Sequence, residues 1–191
     1  AIEGQPQGAV LIVDHLADSE KWKNLVGLRY EDYLDREKFL AAIQRNTLPA
    51  IETAFHFGAC TSTTETNADY LMRNNFEYSR SLCEWALNND VRFIVASSAA
   101  TYGDGQTGYS DDDSHTAKLC PLNMYGYSKH LFDLWALRNG LYNKFAGLKF
   151  FNVYGPGEDH KGDMSSVVLK AFHQIANSGE VRLFKSHNPE Y

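Results

Sequence analysis

Short apolar runs, each about the length of one β-strand, alternate along the 191 residues with longer amphipathic runs. That alternation constrains the fold more than any other feature, because it is the pattern of a parallel sheet flanked by helices. The apolar runs lie at 9–13, 51–56, 92–96 and 148–153. Such runs suit strands covered on both sides. Helical spacing of apolar residues predicts helices over 36–44, 67–88, 124–139 and from about 165 to 176. The expected class is α/β, a doubly wound parallel sheet of the Rossmann type. Strand–helix alternation loses regularity after Val153. Residues 1–153 therefore read as an incomplete dinucleotide-binding domain and 154–191 as the start of a substrate-binding region.

Charge and composition remove several function classes. Asp and Glu number 24 against 18 Lys and Arg, and no basic run occurs. The expectation is no nucleic-acid partner and no electrostatic membrane binding. No stretch approaches the ~20 apolar residues of a membrane span. No basic-then-apolar leader opens the chain, so a cytoplasmic location is expected. Cys60, Cys83 and Cys120 are odd in number and scattered, which fits reduced thiols rather than disulfides or a metal site. The segment 103–118 reads as a polar loop, and its Asp111-Asp112-Asp113 run as solvated surface; no metal site is expected.

The chemistry-bearing residues cluster in Asn123-Met124-Tyr125-Gly126-Tyr127-Ser128-Lys129. Asn123 suits a helix N-cap. Tyr125, Lys129, Phe132 and Ala136 then fall on one stripe, and its apolar members turn the stripe inward. A free phenol has a pKa of ~10, too high for a base at neutral pH. A neighbouring ammonium stabilises the phenolate and brings it toward the working range. Taken alone, this spacing better describes a half-buried tyrosine beside a snorkelling lysine. Ser98 adds weight, because Ser97-Ser98-Ala99-Ala100-Thr101-Tyr102-Gly103 follows an apolar strand. Ligands of open parallel sheets sit beyond the carboxyl ends of strands. The bland alternative is a serine that merely ends the strand.

Together, Ser-Ser-Ala-x-x-Tyr-Gly, Tyr-Gly-x-Ser-Lys and the Phe-Asn-Val-Tyr-Gly-Pro run at 151–156 resemble the extended short-chain dehydrogenase/reductases that act on nucleotide sugars. The resemblance implies that Tyr125 is the acid/base, that Lys129 holds the nicotinamide ribose and lowers the tyrosine pKa, and that Ser98 orients the substrate. Two further blocks, at 57–65 with 72–75 and at 160–167, are similar to the branch of this family that epimerises an ADP-activated heptose. That likeness implies Lys161 as a second base on the opposite sugar face; spacing alone leaves it an ordinary surface lysine. It also implies a homo-oligomer and a role in lipopolysaccharide synthesis.

The same resemblance distributes the remaining contacts. Asp14, His15, Lys21 and Arg36 match positions at the adenosine end, where a basic pair suits a 2′-phosphate and favours NADP over NAD. Lys21 and Arg36 as solvated cations are the competing reading. Phe57, Gly58, Ala59, Cys60 and Thr61 would line the dinucleotide, with Asn74 and Val153. Asn74 shares a helical stripe with Leu71, Tyr78 and Leu82, so an inward position and a polar partner are expected. Asn152, Asp163, Lys170, Phe184, Lys185, Ser186 and His187 would contact the sugar nucleotide. Asp163 and Lys170 replace a serine and a histidine of better-known relatives, and Phe57 replaces a glutamate. Ala99-Ala100 stand where related dehydratases carry an Asp-Glu pair, which argues against water elimination. Another nucleotide-sugar epimerase and a catalytically silent Rossmann-type module are the alternatives. The family's glycine-rich phosphate loop does not precede the first strand, so a fragment lacking that β-α unit and most of the C-terminal substrate domain is expected.

Overall fold

The computed structural model describes residues 10–183, and their backbone divides into two compact units. Of these residues, one unit comprises 10–15 and Arg29–Phe151; the other comprises Leu16–Leu28 and 152–183.

The first unit contains strands β1 (Leu11–Asp14), β2 (Asp32–Asp35), β3 (Thr53–His56), β4 (Arg92–Ser98) and β5 (Ala146–Phe150). Its helices are α1 (Arg36–Arg45), α2 (Ala68–Leu71), α3 (Tyr78–Asn88) and α4 (Met124–Arg138). A π-helical stretch, Met72–Glu77, joins α2 to α3. Among the described residues all strand pairing is parallel, in two ladders: β1 with β2, and β3–β4–β5. The expected α/β class is what the chain adopts. The core gathers Phe39, Leu82, Cys83, Ala86, Val91, Phe93, Val95 and Phe132, with Leu11, Val13, Leu34 and Ala54 packed against it.

The strand runs differ from expectation in three places. The last run pairs over Ala146–Phe150 rather than 148–153, because its partner β4 ends at Ser98, opposite Phe150. β2 escaped notice: four residues, Asp-Tyr-Leu-Asp, carry too little apolar sequence to stand out. Cover on both faces is also not seen among the described residues. Phe93 and Val95 of β4 are buried, whereas Phe55, Leu148 and Phe150 are exposed.

Helix ends follow local chemistry. Asp35 accepts the Glu37 N–H at 2.9 Å to start α1, and Asn46, at φ 53°, ends it. Asn123 accepts the Gly126 N–H at 2.8 Å and opens α4 as expected. In the polar 103–118 loop, Asp112 caps a short 3₁₀ turn, Asp113–Lys118, while Asp111–Asp113 stay exposed.

The second unit holds 3₁₀ turns Glu20–Leu25 and Asp159–Met164 and helix α5 (Val167–Ser178). Ser166 caps α5 and Gly179 terminates it in the left-handed region. No helix among the described residues is long and apolar enough to cross a membrane. The three cysteines are free, and no described cluster of His, Cys, Asp and Glu could hold a metal ion.

Candidate active site

The inward stripe of α4 is present. Tyr125, Lys129, Phe132 and Ala136 are all buried, with Lys129 at 5 % exposure. Lysine is rarely buried so deeply, because desolvation penalises its charge. Lys129 Nζ donates to the Ala96 carbonyl of β4 at 2.9 Å. Burial lowers its pKa to about 8, and the Asp133 charge one turn further along works against that loss. The ammonium is therefore held beside β4 with donors to spare for a ligand hydroxyl.

Ser98 is the last residue of β4, as the sequence suggested. Its Oγ accepts the Ala100 N–H at 3.1 Å, which caps the following turn and leaves the hydroxyl proton available. Gly126 explains how α4 comes so near that turn. A Cβ there would stand 2.7 Å from the Ala100 carbonyl oxygen, so only glycine permits the approach.

A buried polar relay ties this helix to the segment after β3. Asn75 lies in the π-helical stretch and is 1 % exposed. Its Oδ1 accepts the Cys60 N–H at 2.9 Å and a proton from Asn74 Nδ2 at 3.0 Å. Its Nδ2 donates to the Cys60 carbonyl and to Ser128 Oγ, both at 3.0 Å. Ser128 in turn donates to the Tyr125 carbonyl at 2.7 Å. All four hydrogen-bonding positions of the Asn75 amide are thereby used. Ser79 Oγ donates to the Asn75 carbonyl at 2.5 Å. With its single proton spent there, Ser79 must accept from His56 Nε2–H across 2.7 Å. Burial lowers the His56 pKa to about 3, so the imidazole is neutral.

The expected adenosine-end residues of the first unit also meet. His15 Nδ1 lies 3.2 Å from Asp35 Oδ2, and Asp14 accepts the His15 N–H at 2.7 Å. Arg36 bonds Asn74 through Nη1 and pairs with Glu37 at 3.3 Å. Asn74 thus has the polar partner its stripe demanded. The fully buried asparagine is its neighbour Asn75, which shares the buried Leu71–Asn75–Ser79 stripe, one residue over from the stripe through Asn74. Asn75, His56, Ser79 and Ser128 were missed by reading the sequence. The adjacent Asn74-Asn75 pair in an otherwise amphipathic helix was the available signal.

Lys21, Asn152, Val153, Lys161, Asp163 and Lys170 belong to the second unit. Lys161 is exposed on the 3₁₀ turn, with its N–H bonded to the Glu158 carbonyl at 2.9 Å. Glu158 organises this segment. Its carboxylate accepts the Gly155 and Ser166 N–H groups at 3.2 and 2.7 Å and the Ser166 hydroxyl at 2.8 Å. Those bonds, led by the Ser166 N–H, hold it below the usual carboxylate range. Asn24 donates to the Gly157 carbonyl at 2.7 Å, and Lys170 to the Asp163 carbonyl at 2.5 Å. Phe184, Lys185, Ser186 and His187 lie outside the described residues.

The sequence profile of the NAD dependent epimerase/dehydratase family matches residues 2–191. The chain belongs to that family. Within it, an ADP-L-glycero-D-manno-heptose-6-epimerase of Nitratidesulfovibrio vulgaris is 56 % identical over 183 residues, 95 % of this chain and 57 % of the relative. The protein of the same name from Fusobacterium nucleatum is 46 % identical, over 93 % of this chain and 55 % of its own length. The crystal structure of the Helicobacter pylori ADP-L-glycero-D-manno-heptose-6-epimerase aligns with a TM-score of 0.78 at 29 % identity, covering 92 % of this chain and 57 % of that one. A Thermotoga maritima UDP-glucose 4-epimerase, at 24 % identity and a TM-score of 0.70, shares the fold. The chain spans a little over half the length of these relatives.

Proposed function

We propose that this family member is part of an isomerase that interconverts ADP-D-glycero- and ADP-L-glycero-D-manno-heptose at C6. The observation that carries the reading is the buried Tyr125–Lys129 stripe of α4, with Lys129 anchored to β4 two residues before Ser98. Identity of 56 % to a relative bearing that enzyme's name supports the sugar assignment.

The residues fit a nicotinamide dinucleotide. Lys129 offers a buried ammonium to a ribose hydroxyl, and Asp14 ends β1 where an acid suits the adenosine ribose. A Cβ on Gly58 would meet nothing within 4 Å, so the backbone at Gly58 leaves room for a ligand. Arg36 and His15 supply positive or protonatable groups for a 2′-phosphate, which favours NADP over NAD. Lys21, Asn74 and Val153 complete the proposed cofactor set. Such a cofactor, when bound, accepts a hydride from C6 and returns it to the other face of the resulting ketone.

Tyr125 takes the hydroxyl proton as the C–H bond is oxidised. Ser98 donates its free proton to the sugar oxygen and fixes its direction. Lys161 serves the opposite face, returning a proton to the oxygen upon reduction, so the centre inverts without loss of atoms. Asn152, Asp163, Lys170 and the 184–187 segment would hold the rest of the nucleotide sugar. The first unit is then the cofactor part and the chain beyond 153 the start of the substrate part. A cytoplasmic homo-oligomer feeding lipopolysaccharide core synthesis is the corresponding setting.

The test supplies ADP-D-glycero-D-manno-heptose and NADP to the protein carrying this sequence at its natural length, and follows C6 configuration by NMR. Formation of the L-glycero epimer is expected. A folded, cofactor-loaded protein that leaves C6 unchanged overturns the proposal.

A further inference from the structure

A second polar cluster is buried among β4, β5 and α4 and takes no direct part in the chemistry above. Asp133 follows Lys129 by one helical turn and is 8 % exposed. Its Oδ2 accepts from Lys149 Nζ at 2.5 Å and from Ser97 Oγ at 3.0 Å. Lys149 rises from β5, donates also to Thr101 Oγ1 at 2.9 Å, and lies 5.4 Å from the Tyr102 ring centroid. Thr101 is fully buried and passes its own proton to the Ser98 carbonyl at 2.8 Å. The Tyr142 hydroxyl donates to the Asp133 carbonyl at 2.9 Å.

Stability is a poor explanation for such a pair. Desolvating two charges cancels much of their attraction, and apolar residues of similar volume commonly hold a fold as well or better. Position explains it better. Each bond of the cluster ends beside a proposed reacting group: Ser97 adjoins Ser98, Thr101 grips the Ser98 carbonyl, and Asp133 stands one turn from Lys129.

We propose that Asp133 and Lys149 are a positioning pair for the acid/base site, with Lys149 fixing the turn that presents Ser98 and Asp133 placing a negative charge beneath Lys129. The inference rests on the reading of Ser98, Tyr125 and Lys129 given above. The groups that face the pair are Lys129 and His130 of α4, and Tyr102 and Tyr142 from the adjoining segments. Lys129 in addition faces His56 of β3, which is neutral. Asp133 is the counter-charge that offsets the desolvation of Lys129. Without it, Lys129 gives up its proton at lower pH.

The test compares Asp133→Asn, Lys149→Met, Lys149→Arg and the double variant Asp133→Leu/Lys149→Met at natural length, measuring kcat, KM, pH dependence and thermal melting. Lys149→Met and Asp133→Asn should each lower kcat about tenfold or more with little change in KM. Asp133→Asn should also move the alkaline limb of kcat to lower pH. Lys149→Arg, which can rebuild the ion pair, should recover most of the rate. The double variant should melt at or above the wild-type temperature yet remain slow. Wild-type kcat in the double variant, or an unmoved alkaline limb in Asp133→Asn, overturns the proposal. The limb is read on molecules that turn over, so it decides even where stability falls. Failure of the underlying reading looks different: Tyr125→Phe then turns over like the wild type.

Discussion

The Tyr125–Lys129 stripe and the Lys161 segment carry the two halves of the proposed chemistry, and they are built in opposite ways. On α4 the functional groups are buried, and polar bonds run back from them through Ser128, Asn75 and Ser79 to His56. Around Lys161 the chain is exposed, and one carboxylate, Glu158, gathers the backbone. A buried site has its protonation set by surroundings and its geometry set by packing. An exposed loop depends on a few local bonds. The α4 site should therefore respond to changes made some distance away, and the Lys161 segment chiefly to changes within itself.

The sharpest way to break the contrast is at the reacting atoms. Tyr125→Phe should cost about 10³-fold or more in kcat while cofactor affinity is retained, as expected for loss of a positioned acid/base. Steady-state turnover and cofactor titration check it. Lys161→Met should cost about 10²-fold or more in epimerisation and leave thermal melting nearly unchanged, because Lys161 is exposed. An unaltered rate would remove the second base and leave one tyrosine to serve both sugar faces. Gly126→Ala should destabilise the first unit by about 1–3 kcal/mol in urea denaturation, since the added methyl meets the Ala100 carbonyl. Its kcat should fall too, because the displaced turn carries Ser98.

Acid sensitivity separates the regions further. His56 has a folded pKa of about 3 against an ordinary 6.5. Between these values the unfolded chain binds a proton that the folded chain refuses. Stability from this group is thus present above pH 6.5 and lost as pH falls toward 3, at up to ~1.4 kcal/mol per pH unit. Denaturation curves taken across that range should show the slope in the wild type and a shallower one in His56→Gln. The smallest effect belongs to the second unit: Ser166→Ala should cost about 1 kcal/mol of local stability by uncapping α5. Hydrogen exchange of the first turn of α5 measures it.

Much of this was legible in the residues. The α4 stripe, its Asn123 cap, Ser98 at a strand end and the solvated Asp111–Asp113 run all follow from local spacing, and local spacing is what a helix or strand reads. The misses share one cause. Asn75 is buried because packing turned the Leu71–Asn75–Ser79 stripe inward, where local periodicity also allows the neighbouring stripe through Asn74. β5 stops at Phe150 because β4 stops at Ser98, a limit set by a partner 52 residues earlier. Nothing in its own run marks Lys149, because its ion pair with Asp133 exists only once β5 lies beside α4.

The sequence by itself determined the α/β class, the family, and the identity and spacing of Tyr125, Lys129 and Ser98. Covalent spacing along one helix and at one strand end is enough for those. Tertiary structure alone decided which polar residues are buried and with whom: His56 with Ser79, Asn75 with Cys60 and Ser128, Asp133 with Lys149. The reason is physical. Burial and long-range hydrogen bonding are properties of which elements pack together, and a lysine's charge or a histidine's neutrality follows from that packing rather than from its neighbours in the chain.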